Sequence, residues 1–327
     1  MKHRRTSRLG LWLLVGLIGL SVFPGVAVRA AELPRAGALR AAIADLSRSF
    51  PDRYPNGASF LERLDDLEHR ARSASGTEIA RLHDELESLR REALAAHPLV
   101  GGQPILFVVR KQYRPDHHNT ETMFQTGEIN TGSFEGGGAL KTVDFARGGK
   151  VTTLLEVPRG IARDPEVHFD GTKILFAMRH DREDDYHLYE MGADGSGLVQ
   201  LTFGPGVTDI DPVYLPAGEI VFTSTREPKY CMCNRHIMGN LFKMDADGAN
   251  LHQIAHSTLH EGHAALLADG RILYDRWEYV DRNFGNAQGL WTVNPDGTRP
   301  LVWYGNSTDS PGAVLDVETV LRFAGDT

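Results

Sequence analysis

The 327-residue chain, 41% hydrophobic and 24% charged, has enough apolar material for a sizeable core, and its net charge of −8 excludes the basic surface that nucleic-acid binding requires. Its two cysteines exclude a disulfide framework, so packing must supply the stability.

The N-terminus places Lys2, Arg4, Arg5 and Arg8 ahead of an apolar run from Leu9 to Phe23, followed by small residues around Ala30 and Ala31. That order predicts a secretory signal peptide over residues 1–30, with the mature chain starting near Ala31 or Glu32 in the periplasm or outside the cell. The apolar run is shorter than the roughly 20 residues that span a bilayer, so no stable membrane span is expected after cleavage. Removing residues 1–30 leaves 30 basic against 43 acidic residues, a net of −13.

Residues 36–97 are rich in Ala, Leu, Arg and Glu. Ser59-Phe-Leu-Glu62 and Ser75-Gly-Thr-Glu78 match the capping box, in which Ser covers a free backbone N–H and Glu reaches back. Phe60, Leu64, Leu67 and Ala71 follow the first box, and Ile79, Leu82, Leu86, Leu89 and Ala93 follow the second. These spacings predict a helical hairpin turning through Ser73–Gly76, its stripes packing on the following domain rather than forming a coiled-coil arm.

From Pro104 the texture changes to short β-rich runs that repeat. "DPEVHFDGTKILFAMR", "DPVYLPAGEIVFTSTR" and "EGHAALLADGRILYDRW" begin at Asp164, Asp211 and Glu261, and each leads to an Asp-Gly pair, at 194, 247 and 296. The pairs are 53 and 49 residues apart, the period of a four-stranded β-propeller blade. "KILFAMR" and "RILYDRW" suit strands buried between blades, while "ADGS", "ADGA" and "PDGT" suit hairpin turns. An earlier, degenerate unit starts with "PILFVVRK" and closes with "VDFARGGKVTTLLE". The expected fold is therefore all-β: a propeller over 104–327 with blades near 104–160, 162–209, 210–260 and 261–310, and "GAVLDVETV" opening another near 313. Four blades make an incomplete ring.

Three stretches carry candidate chemistry. "PKYCMCNRHIM" places Cys231, Cys233 and His236 in an enlarged loop between strands, where binding groups are usually presented. With His260 and His263 of "HEGH" opening the next blade, it offers ligands for zinc. A strained disulfide or redox-sensitive thiol pair, and a pair of inert buried thiols, are the competing readings. "DRWEYVDRN" concentrates Trp277, Glu278, Tyr279 and Asp281 after a strand, either as a ligand pocket on a propeller face or as an inter-blade wedge with solvated charges. His117 and His118 in "RPDHHNTE" are adjacent and point apart in an extended chain, a weak ligand pattern. No phosphate-loop, G-x-S-x-G or H-E-x-x-H pattern occurs.

The pattern of Asp-Pro, then "DG-x-x-I-x-F", then "LYEMGADGSGLVQLT" resembles the TolB-like, WD40-like propeller repeats of exported bacterial proteins. More narrowly, "LRREALAAHPL" running into "ILFVVRK", "TSTREPKYCMCNRH" and "DGRILYDRWEYVDRNFGNAQGLWTVNPDGT" resemble the large exported proteins related to the hydrazine synthase alpha subunit. The resemblance covers roughly residues 85–320. Some members of that group carry c-type haem domains, but covalent c-type haem needs C-x-x-C-H, and this chain has none. The resemblance therefore implies an exported, non-catalytic or conditionally catalytic platform for a protein partner or small ligand. The alternative it implies is the propeller segment of a periplasmic multi-haem oxidoreductase whose catalytic part lies outside this chain.

Overall fold

The computed structural model describes residues 33–111, 134–230, 237–278, 287–305 and 314. The chain divides into two compact units, Met1–Leu94 and Ala95–Thr327. The expected signal peptide, His117 and His118, and the run opening a fifth blade, Val314 apart, lie outside the described residues. Among the described residues no helix is long and apolar enough to cross a membrane.

The first unit holds three helices where the sequence predicted two: α1 (Ala36–Ser49), α2 (Gly57–Ala71) and α3 (Thr77–Ala95). Helix α1 escaped notice because it has no capping box. It starts after Arg35, which sits at φ 70 and offers no side-chain cap. The first predicted box also falls inside its helix, since α2 begins at Gly57. A Cβ there would lie 2.0 Å from Ser47 Oγ, so glycine lets the α1–α2 corner close one turn earlier. Leu39, Ile43 and Leu46 of α1, Phe60, Leu64 and Leu67 of α2, and Leu82, Leu86 and Leu89 of α3 share one core. The predicted stripes thus face each other. Arg40 spans to Asp65 and Glu68, and Arg70 to Glu85, along the rims of that core.

The second unit is a series of antiparallel sheets in which each strand pairs with the next in sequence. The first contains β1 (Ile105–Arg110), β2 (Gly138–Asp144) and β3 (Lys150–Val157), three strands among the described residues rather than the expected four. Then come β4 (Ile161–Val167), β5 (Lys173–Arg179), β6 (His187–Gly192) and β7 (Val199–Gln200). The third sheet is β8 (Asp209–Tyr214), β9 (Ile220–Tyr230), β10 (Ile237–Met244) and β11 (His252–Gln253). The fourth is β12 (Glu261–Leu266), β13 (Ile272–Trp277), β14 (Gln288–Val293) and β15 (Leu301–Tyr304). The opening strands β1, β4, β8 and β12 lie side by side in that order. Apolar residues of consecutive sheets fill the space between: Leu175 and Ala177 meet Ile220 and Phe222 in one cluster, and Val221 and Leu241 meet Ile272 and Tyr274 in the next. This is blade-on-blade packing of a β-propeller.

The three Asp-Gly pairs occupy equivalent turns, between the third and fourth strand of their sheets. Asp194, Asp247 and Asp296 each accept a backbone N–H two residues on, at 3.0, 3.0 and 2.9 Å. Hydrogen bonds from the Ser196 hydroxyl and N–H hold the Asp194 carboxyl below the usual carboxylate range, and Thr298 does the same for Asp296. A depressed carboxyl contributes stability that is present above its unfolded value of about 4 and is lost as pH falls through the lower folded value. A carbon-13 carboxyl titration should therefore show both acids ionising below about 4. In Ser196→Ala the Asp194 midpoint should rise and that of Asp296 should stay; an unmoved Asp194 midpoint would contradict the assignment.

Candidate functional site

The opening strands of the last three sheets share an irregularity. Their register against the second strand slips between Arg163 and Glu166, between Ile210 and Val213, and between Gly262 and Ala265. At each slip sits a non-glycine residue in the left-handed region: Asp164, Asp211 and His263, all at φ 50. Such a conformation costs about 1–3 kcal/mol and persists where the surroundings over-determine it, often at functional sites.

The three bulges put their side chains on one partly buried track crossing the sheets. Arg163 Nε donates to Asp164 Oδ2 at 2.6 Å, and its Nη2 lies 3.5 Å from Asp211 Oδ1. The Asp211 N–H reaches Asp164 Oδ2 at 3.3 Å. On its other side, Asp211 Oδ2 lies 3.7 Å from His263 Nε2. His263 Nδ1 is hydrogen-bonded to Asp275 Oδ1, and Asp275 Oδ2 lies 3.9 Å from His260 Nε2. The two imidazole centroids are 5.6 Å apart with rings inclined at 69°. Asp211 Oδ2, Asp275 Oδ2 and Thr223 Oγ1 are buried and take no hydrogen bond among the described residues.

Burial sets the electrostatics. It pushes the Asp211 carboxyl up, and the neighbouring Asp164 charge pushes it further. Burial opposes ionisation of Asp164 too, but the Arg163 guanidinium and a hydrogen bond from Asp211 outweigh it and hold that carboxyl low. The two acids therefore behave as an acid–carboxylate pair beside one cation. Burial also pushes His260 down to about 4, against the pull of Asp275, which leaves a neutral imidazole near pH 7.

A second set of buried acids, two residues before the Asp211 and His263 bulges, is fully engaged. Asp209 accepts from Ser224 Oγ at 2.6 Å and Arg226 Nη2 at 2.8 Å, and faces His187 of the preceding sheet at 3.6 Å. Glu261 accepts from Asn240 Nδ2 at 2.8 Å and the Ser257 N–H at 2.9 Å. These acids tie each sheet to the one before, whereas on the track Asp211 Oδ2 and Asp275 Oδ2 keep unused acceptor capacity among the described residues.

Of the residues singled out from sequence, Cys231, Cys233, His236, Tyr279 and Asp281 lie outside the described residues; β9 and β10 pair Tyr230 with Ile237. His260 and His263 are brought together, and the group they meet is Asp275. Trp277 is 7% exposed and packs with Met238, Leu259 and Ala287, while Glu278 pairs with Arg276 at 3.0 Å. Sequence reasoning used Asp164 and Asp211 as repeat landmarks and passed over their chemistry, and it did not single out Asp275. The signal was available: in the aligned units, His263 of "EGHAAL" stands where Asp164 and Asp211 stand.

No family model matches the chain, and no curated protein does. Among solved structures, hydrazine synthase of Kuenenia stuttgartiensis aligns at 21% identity and a TM-score of 0.49, over 63% of this chain and 32% of that one. TolB of Acinetobacter baumannii aligns at 15% identity and 0.39, over 51% and 37%. A putative TolB of Agrobacterium tumefaciens aligns at 16% and 0.41, over 50% and 56%. The chain thus spans about a third of the length of the hydrazine synthase chain it matches. It resembles TolB-like propeller proteins. The architecture itself stands on the four successive sheets and their equivalent turns.

Proposed function

We propose that this chain is an exported propeller platform that binds a small ligand or a protein partner at the side of the sheets where β4, β8 and β12 run together. The observation that carries the reading is the left-handed bulge repeated at Asp164, Asp211 and His263, which gathers acids and imidazoles from three sheets where apolar packing alone would satisfy the fold. Rigid strands hold such groups more closely in place than a loop does, and a binding site needs that. Export follows from the charged, apolar and small-residue order of the N-terminus.

The test is to express the chain with its own N-terminus in a Gram-negative host, recover it from the periplasm, and measure its native mass and N-terminal sequence. The expected product starts near Ala31 and carries bound mass that Asp211→Asn loses while keeping its β-sheet circular dichroism. A product that retains Met1, or one with no mass beyond the polypeptide, would overturn the reading.

A further inference from the structure

We infer that His260, His263 and Asp275 hold one divalent first-row transition-metal ion, and that they do so without Cys231 or Cys233. The inference takes its location from the platform reading and adds the identity of what binds. One ligand atom from each of the three residues lies within 4.8 Å of the others. Metal–ligand distances of about 2.0–2.2 Å for imidazole and carboxylate would draw these atoms together by small side-chain rotations.

Three observations go beyond the grouping. Asp275 is 0% exposed, and its Oδ2, turned toward His260, takes no hydrogen bond among the described residues. A buried carboxylate oxygen without a hydrogen-bond donor is costly unless a cation completes it. Gly262 makes room for the first imidazole: a Cβ there would lie 2.7 Å from His260 Cε1 and Nε2. Behind the second imidazole, Asp211 Oδ2 faces His263 Nε2 at 3.7 Å, leaving Nδ1 on the Asp275 side. An acceptor oxygen behind a ligating histidine fixes its tautomer and ring orientation. Two imidazoles and one carboxylate make a donor set for zinc, iron(II) or their neighbours, with positions left open for water or a ligand.

The probe is Co²⁺, then Zn²⁺ in competition, added to the chelator-stripped full chain purified without an affinity tag. The wild type is expected to take up one equivalent and show cobalt ligand-field absorption. X-ray absorption of the zinc form should report nitrogen and oxygen neighbours, with no sulfur shell near 2.3 Å. The double variant Cys231→Ser, Cys233→Ser should bind as the wild type does. Gly262→Ala, which pushes on the His260 ring, and His263→Ala should each weaken binding on the order of a hundredfold. The spectroscopy of the wild type needs no variant to fold, so it decides the matter if a variant does not. A sulfur shell, loss of metal in the cysteine variant, or less than about a tenth of an equivalent in the wild type would overturn the metal site. If the wild type binds no metal but its exported form still carries bound mass, the metal inference fails and the platform reading stands.

Discussion

Arg163→Met is expected to destabilise the folded chain by about 3 kcal/mol, the lower end of the range for breaking a buried ion pair because Asp164 keeps 24% of its side-chain exposure. The Arg163 side chain is 11% exposed, and its guanidinium is bonded to Asp164 at 2.6 Å, 3.5 Å from Asp211 and 5.7 Å over the Tyr186 ring. Removing it leaves two inward-turned carboxyls with no cation between them, and the one held low by Arg163 loses its main support. The double variant Arg163→Met, Asp164→Asn should recover most of the loss, since replacing both partners removes the stranded charge. Urea unfolding followed by circular dichroism measures both. A loss under about 1 kcal/mol in the single variant is what an exposed pair gives, and it would show that the track is solvated.

Gly248→Ala should cost clearly more than Gly270→Ala, although both glycines are in the left-handed region, at φ 88 and 85. An alanine at Gly270 meets nothing within 4 Å, so it loses about 1 kcal/mol of backbone preference. At Gly248 the new Cβ would lie 2.5 Å from Leu201 O, a backbone oxygen of the preceding sheet, and the turn must lift off that sheet to relieve it. Adding the separation of two packed sheets brings the expected loss to about 3 kcal/mol. Gly195 and Gly297 meet Leu154 O and Ile254 O in the same way, at 2.9 and 2.6 Å, so the contact belongs to the repeat. Equal losses at Gly248 and Gly270 would mean that the turns do not dock on the neighbouring sheet.

The repeat was legible because its punctuation is chemical. Asp-Gly at a hairpin and an apolar run before it are demanded by local backbone geometry, and they recur wherever a blade recurs. The bulges were not legible as such, since a register slip is a relation between two strands and leaves no local pattern. Asp-Pro at 164 and 211 marked the place, yet Gly-His at 262 and 263 hid the third instance. Asp275 reads as a polar residue in the strand "ILYDRW", and nothing in that run says that Gly262 lies opposite and exposes the carboxylate to two imidazoles. Helix α1 was missed for a different reason: its Leu39, Ile43 and Leu46 carry helical spacing, but no capping box marks its start.

The most direct measurement is an experimental structure of the full chain, with β4–β7, β8–β11 and β12–β15 overlaid. The account predicts that Asp164, Asp211 and His263 fall on one another in left-handed conformation, and that His263 bridges Asp211 and Asp275 across two sheets. Opening strands paired in continuous register, with the three side chains on different faces, would contradict it.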